Sequence, residues 1–218
     1  MQHKFISVTK RARYFQIGEA NLSTKKVWIV FHGYGMLSEF FIKKFEILDD
    51  GSTLIIAPEA LNRFYINENF SRVGASWITK LEKENDIIEN NNYIESLYQN
   101  IVDEVGHSDF SLNVLGFSQG SSTACRWIFS SNVKINNLII WAGDIPRDIL
   151  TENNRSKWDS LKTFLVMGKK DSLITSELSL KFQNDISEYK LNFNLVEYDG
   201  DHRIFPKVLK EVSEKCQG

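Results

Sequence analysis

The chain has 218 residues, 42% apolar and 25% charged, enough to bury the core of one domain (1–218) without disulfide or metal staples. Lys plus Arg number 26 against 28 for Asp plus Glu. That near balance gives no electrostatic reason to expect nucleic acid or an anionic membrane as partner.

Taken in chain order, Phe5–Thr9 and Arg13–Ile17 read as a short antiparallel hairpin at one edge of a sheet. Val27-Trp-Ile-Val-Phe31 is the first of six β-branched apolar runs. The others are Thr53–Ala57, Leu112–Gly116, Leu138–Trp141, Thr163–Met167 and Asn192–Tyr198. Most are nearly continuous in apolar residues, as strands covered on both faces must be. Helices are expected between them at Ser38–Leu48, Asn85–Val105, Gln119–Ser130, Ser176–Tyr189 and Pro206–Cys216. Ile87, Ile94, Leu97, Tyr98 and Ile101 give the second an apolar stripe near the 3.6-residue period. Pro206 suits a first helical turn, where its missing N–H costs nothing. Strand-helix alternation of this kind predicts an α/β fold with a mostly parallel, doubly wound sheet and an antiparallel N-terminal edge. The segment Pro58–Glu84 shows no obvious regular structure, and Ala142–Lys162 leaves room for a loop or short helix but not a large cap domain.

The segment Met1–Arg11 is charged, with no apolar stretch of the signal type, and no run approaches the ~18 apolar residues of a membrane helix. Cys125 and Cys216 lack metal or redox spacing. A cytoplasmic protein with reduced thiols and no stable membrane association is the expectation.

The chemistry concentrates at Gly116-Phe-Ser-Gln-Gly120, a G-x-S-x-G between a strand and a helix. A serine on so sharp a turn is held with its hydroxyl in the open, and flanking glycines let strand and helix approach. The helix N-terminus favours negative charge developing beside Ser118. The alternative, a glycine-rich connection without chemistry, is disfavoured by the strand-before, helix-after context.

A hydroxyl nucleophile needs a base, and histidine suits that role near neutral pH. Of four histidines, His3 lies in the N-terminal tail. His107 precedes the Ser118 strand, so about five residues at ~3.3 Å each put it at the opposite sheet edge. His32 follows the strand Val27–Phe31 at the correct edge but belongs to another motif, His32-Gly-Tyr-Gly35. His202, in Asp199-Gly-Asp-His202, follows the last strand at the correct edge and comes after Ser118, the order this chemistry takes. Either of two aspartates could orient its imidazole: Asp171, after the strand preceding the His-bearing one, or Asp144, which also reads as a turn residue ahead of Ile145-Pro146. Chain order favours Asp171.

His32-Gly-Tyr-Gly35, Gly116-Phe-Ser-Gln-Gly120, Gly168-Lys-Lys-Asp171 and Gly200-Asp-His202 together resemble the signature of the phospholipase/carboxylesterase and acyl-protein thioesterase family of α/β-hydrolases. The resemblance runs from about Val27 to His202. It implies a triad of Ser118, Asp171 and His202, with the backbone N–H groups of Tyr34 and Gln119 as oxyanion donors. Ser76-Trp77 resembles a family segment bordering the substrate site. Two positions depart from the pattern: Ser121 where a second glycine is frequent, and Met36 where aspartate is.

Phe64, Tyr65, Phe70 and Trp77 in the long 58–84 segment are candidates to line an acyl pocket, or else to pin that segment to the core. Arg63 and Arg72 could meet an anionic substrate group. The expected function is hydrolysis of short to medium carboxylic esters through an acyl-enzyme, with no cofactor and no metal. Acyl thioesters or lysophospholipids, peptides, and a catalytically idle binding role are the alternatives.

Overall fold

The six apolar runs become six of the seven strands of one sheet, and their near-continuous apolar character fits burial on both faces. The computed structural model describes residues 1–174, 184, 186–189 and 191–217. Its elements are β1 (Tyr14–Ile17), β2 (Lys26–Phe31), α1 (Ser38–Phe41), β3 (Thr53–Pro58), β4 (Asn62–Tyr65), β5 (Val73–Ser76) and α2 (Lys83–Val105). There follow β6 (Ser111–Phe117), α3 (Gln119–Ser130), β7 (Asn137–Trp141), α4 (Arg155–Ser160), β8 (Lys162–Gly168), β9 (Phe193–Tyr198) and α5 (Pro206–Cys216). The sheet order is β1-β3-β2-β6-β7-β8-β9. All neighbours are parallel except β1, which runs antiparallel along β3.

Successive strand residues face opposite sides. Val27, Ile29, Phe31, Val114, Leu138 and Ile140 therefore pack with Ile94, Leu97 and Ile101 of α2 and Trp127 and Ile128 of α3. Trp28, Val30, Leu115, Phe117, Ile139 and Trp141 face the other way, onto Phe41, Phe45, Leu209 and Val212. The expected doubly wound sheet is thus the observed one. Its C-terminal strand ends, where β6, β8 and β9 deliver Ser118, Asp171 and His202, form one edge. No helix among the described residues is long and apolar enough to cross a membrane. Cys125 and Cys216 are free thiols.

Several expectations are corrected. Phe5–Thr9 forms no strand; β1 instead pairs with β3, from Tyr14 opposite Pro58 to Ile17 opposite Ile55. A two-stranded ribbon of exposed residues buries too little to hold itself together, whereas β3 offers a free edge on a buried sheet. The segment Ser38–Leu48 is α-helical only to Phe41 and continues as a 3-10 helix over Ile42–Leu48. Ile42, Phe45 and Leu48, all buried, recur every three residues, the period of that tighter helix. The 58–84 segment holds the antiparallel hairpin β4–β5. The burial of β4 alternates between half-buried and exposed, which leaves little hydrophobic signal to read. The helix expected over Ser176–Tyr189 lies mostly outside the described residues. Residues 142–162 hold two short 3-10 turns and α4, with no large cap.

Candidate active site

Ser118 joins β6 to α3 with φ 53° and ψ −121°, a left-handed conformation that a non-glycine residue holds at a cost of roughly 1–3 kcal/mol. Its neighbours impose the turn. Ser118 N–H donates to Trp141 O at 2.9 Å, and Ser121 N–H donates back to Ser118 O at 3.0 Å. Gly116 and Gly120 are obligatory here. A Cβ on Gly116 would sit 2.3 Å from Ser121 Cα, and one on Gly120 would sit 2.4 Å from Phe31 O. The departure at Ser121 is accommodated. Its buried hydroxyl donates to Gly116 O at 2.7 Å, and a Cβ on the facing Gly143 would collide with it at 2.1 Å.

His202 and Asp171 meet. The imidazole Nδ1 lies 2.6 Å from Asp171 Oδ2, while Leu173 N–H donates to Asp171 Oδ1 at 2.9 Å. The Asp171 side chain is fully shielded and that of His202 is 22% exposed. With Nδ1–H given to the carboxylate, Nε2 is the ring's free acceptor. β9 is separated from β6 by two strands, so the loop after it must cross back over the sheet edge. It does so: the His202 ring packs on Phe117, immediately before Ser118, with centroids 4.9 Å apart. Of the two candidate acids, Asp171 is therefore the one bonded to His202. Asp144 lies one strand nearer to β6, its carbonyl accepting from Ser122 Oγ at 3.4 Å.

The turn at His32-Gly-Tyr-Gly35 is tied to the hairpin. Gly35, at φ 71°, donates to Ala75 O at 2.9 Å, and Ala75 N–H donates to Met36 O at 3.1 Å. Gly74 makes this approach possible, since a Cβ there would lie 2.5 Å from Gly35 O. Among the described residues, the Tyr34 N–H has no main-chain acceptor. Gln119 is the first residue of α3, so its N–H has no intrahelical acceptor.

His32 itself is a buried strut. Its Nδ1–H donates to Gly33 O at 2.7 Å, and its Nε2 accepts from Ala60 N–H at 3.1 Å. Burial lowers its pKa to about 4, so the ring is neutral around pH 7. Trp77 has no exposed surface: its indole donates to His32 O at 2.8 Å and its ring lies 5.1 Å from the imidazole. It supports the site from beneath instead of presenting a face to substrate, as the pinning alternative has it. The Gln119 side chain, unforeseen from sequence, clamps the same segment. It accepts from Trp77 N–H at 3.1 Å and donates to Ile78 O at 2.9 Å.

The other three aromatics lie at the surface. Phe64 is half-buried and stacks on Tyr34 at 5.2 Å, and Tyr65 and Phe70 meet edge to face at 5.1 Å. Tyr65 and Phe70 are 56% and 69% exposed. Between the His32–Gly35 turn, α1 and the hairpin runs a groove of about 640 Å³, bounded by Met36, Phe40, Ile66, Arg72 and Val73. Arg63 sits 3.9 Å from Glu59, whose buried carboxylate takes a two-pronged bond from Arg13 at 2.6 and 2.9 Å. Among the described residues, no group of three or more His, Cys, Asp or Glu could hold a metal ion.

Known proteins place this architecture. The chain superposes on acyl-protein thioesterase 2 of Zea mays with a TM-score of 0.74 at 15% identity, covering 95% of this chain and 98% of that one. Esterase PE8 gives 0.70 at 16% identity, covering 95% and 99%. The Bacillus cereus carboxylesterase gives 0.67 at 14%, covering 94% and 93%. At such identities the likeness establishes the fold. No curated protein matches the chain by sequence. The phospholipase/carboxylesterase family matches residues 12–217. With nearly its whole length matched, this chain belongs to the phospholipase/carboxylesterase family of α/β-hydrolases.

Proposed function

We propose that this hydrolase cleaves short to medium carboxylic esters through an acyl-enzyme, with Ser118 as nucleophile, His202 as base and Asp171 as the acid that orients it. The observation that carries this is the strained serine at φ 53° directly after Phe117, on whose ring packs a histidine bonded at 2.6 Å to a buried carboxylate. His202 Nε2 takes the Ser118 proton as Oγ attacks the ester carbonyl. The developing oxyanion is met by the Tyr34 and Gln119 N–H groups. The imidazolium, steadied by Asp171, then gives its proton to the departing alkoxide, releasing alcohol. Water, deprotonated by the same histidine, splits the acyl-serine to a carboxylic acid.

Tyr34, Phe64, Tyr65 and Phe70 would border the acyl group, with Trp77 holding the floor. A second reading, acyl thioesters or lysophospholipids, draws on the neighbour named an acyl-protein thioesterase and on the apolar surface of the hairpin. The Ser118→Ala variant should fold and lose ester turnover, and a fluorophosphonate adduct should map to Ser118 by mass spectrometry. Turnover persisting in the purified variant would overturn the proposal.

A further inference from the structure

Trp141 bonds both to Ser118 and to the loop that carries His202. It ends β7, fully buried, and its main-chain carbonyl is the acceptor of the Ser118 N–H at 2.9 Å. Its indole points the other way, toward the histidine loop. Nε1–H lies 3.1 Å from Tyr198 Oη and 3.2 Å from Arg203 O. Tyr198 Oη in turn lies 3.0 Å from Asp201 O and 2.9 Å from Arg203 O. These two carbonyls belong to the residues on either side of His202.

The proton count is informative. The phenol and the indole supply one donor proton each toward the two carbonyls flanking His202, and Asp201 O also accepts from Arg203 N–H at 2.8 Å. Tyr198 is only 7% exposed, and burial raises its phenol pKa, so it stays a donor. With either donor lost, the loop keeps its own Arg203 N–H to Asp201 O bond but loses one of its two ties to the buried side chains of β7 and β9. The loop is also tied by Lys170 N–H to Gly200 O at 2.9 Å and by His202 to Asp171, while the exposed Asp201–Arg203 pair adds little. Ala142, directly after Trp141, is held at φ 48°, a second strained non-glycine residue beside Ser118. Plain ring packing would need none of this polar pairing.

We infer that Trp141 is a positioning residue that, with Tyr198, holds the Ser118 turn and the His202 loop in one frame. Its carbonyl fixes the turn, and its indole N–H and the Tyr198 hydroxyl fix the loop. The inference rests on the Ser118–His202 reading above, and its test separates the two. Trp141→Phe and Tyr198→Phe each keep an aromatic ring and remove one donor. Both are purified, melted, and titrated with a fluorophosphonate so that rates refer to competent sites. Steady-state and burst kinetics on p-nitrophenyl butyrate then separate acylation from deacylation.

The expected result is kcat per titrated site lower by about tenfold or more in each variant, with KM unchanged, because a misplaced base costs rate and not binding. Acylation and deacylation should slow together, since one histidine serves both. The double variant should be no slower than the slower single, as members of one network are not additive. A lower Tm with kcat per site intact, or a change confined to KM, would overturn the inference and leave Trp141 as packing. Where Trp141→Phe fails to fold, Tyr198→Phe carries the same test alone. A wild-type protein that never labels at Ser118 would overturn the underlying reading instead.

Discussion

Acidification should weaken this protein through one residue, His32. In the folded chain the imidazole is shut away from water, its Nε2 lone pair committed to the Ala60 N–H. Burial takes its pKa from the ordinary 6.5 to about 4. The sign follows from which state takes up the proton. Above pH 6.5 both states are neutral at this ring and nothing is lost. Between pH 6.5 and about 4 the unfolded chain binds a proton that the folded chain refuses, so stability falls as pH falls. Each pH unit of that gap is worth about 1.4 kcal/mol, so the full loss is on the order of 3 kcal/mol. Urea midpoints at pH 7.5 and 5, compared between wild type and His32→Asn, isolate the ring from every other titrating group. The asparagine amide would keep a donor toward Gly33 O but has no proton to gain. The variant should begin less stable and lose less on acidification. Nitrogen-resolved NMR of the wild-type ring should show one neutral Nδ1–H tautomer down to about pH 5. An equal pH slope in both proteins, or a ring that protonates near pH 6.5, would refute the reasoning.

Three further outcomes are expected. Asp171→Asn should lower kcat by something on the order of 10⁴, as neutralising a triad acid does elsewhere, while Asp144→Asn should cost much less; steady-state kinetics on both variants ranks them, and the reverse order would move the acid to β7. Ester turnover should survive exhaustive dialysis against EDTA, because serine, imidazole and carboxylate complete the proposed proton path; loss restored by a divalent ion would contradict it. Across p-nitrophenyl esters from acetate to palmitate below micellar concentrations, kcat/KM should rise over the first carbons, at ~0.8 kcal/mol for each CH₂ fully buried, and then flatten. A steady climb through the longest soluble chains would favour the thioesterase or lysophospholipase reading.

Much of the candidate site is legible because its signals are local. Gly116 and Gly120 announce a turn whose crowding only glycine tolerates, and the distances to Ser121 Cα and Phe31 O explain that need. Chain order favours Asp171 over Asp144, and the structure bonds it to His202. Other features carry no local mark. Trp77 reads as a large aromatic in a long irregular segment, yet which way it faces depends on His32, 45 residues away. The β4–β5 hairpin is hidden because β4 is half-exposed and β5, though mostly buried, buries only Gly74, Ala75 and Ser76, so two four-residue strands carry too few large apolar positions to show a period.

The same boundary runs through the whole chain. Strand and helix identity comes from neighbours within a few residues: apolar runs for β2, β3, β6, β7 and β8, a 3.6-residue stripe for α2, a first-turn proline for α5. The tail before Tyr14 shows where that logic stops. Phe5–Thr9 has the alternation of a strand, but a strand exists only with a partner, and β1 finds a better one in β3. Linking Ser118, Trp141, Tyr198 and His202 likewise requires β6 to lie beside β7 and the loop after β9 to fold back across the sheet edge. Those adjacencies bring together residues 57 to 62 positions apart, as in the bonds from the Trp141 indole to Tyr198 and Arg203. Short-range preference cannot encode contacts at that separation; they arise when the sheet closes its core on both faces and sets the strand order.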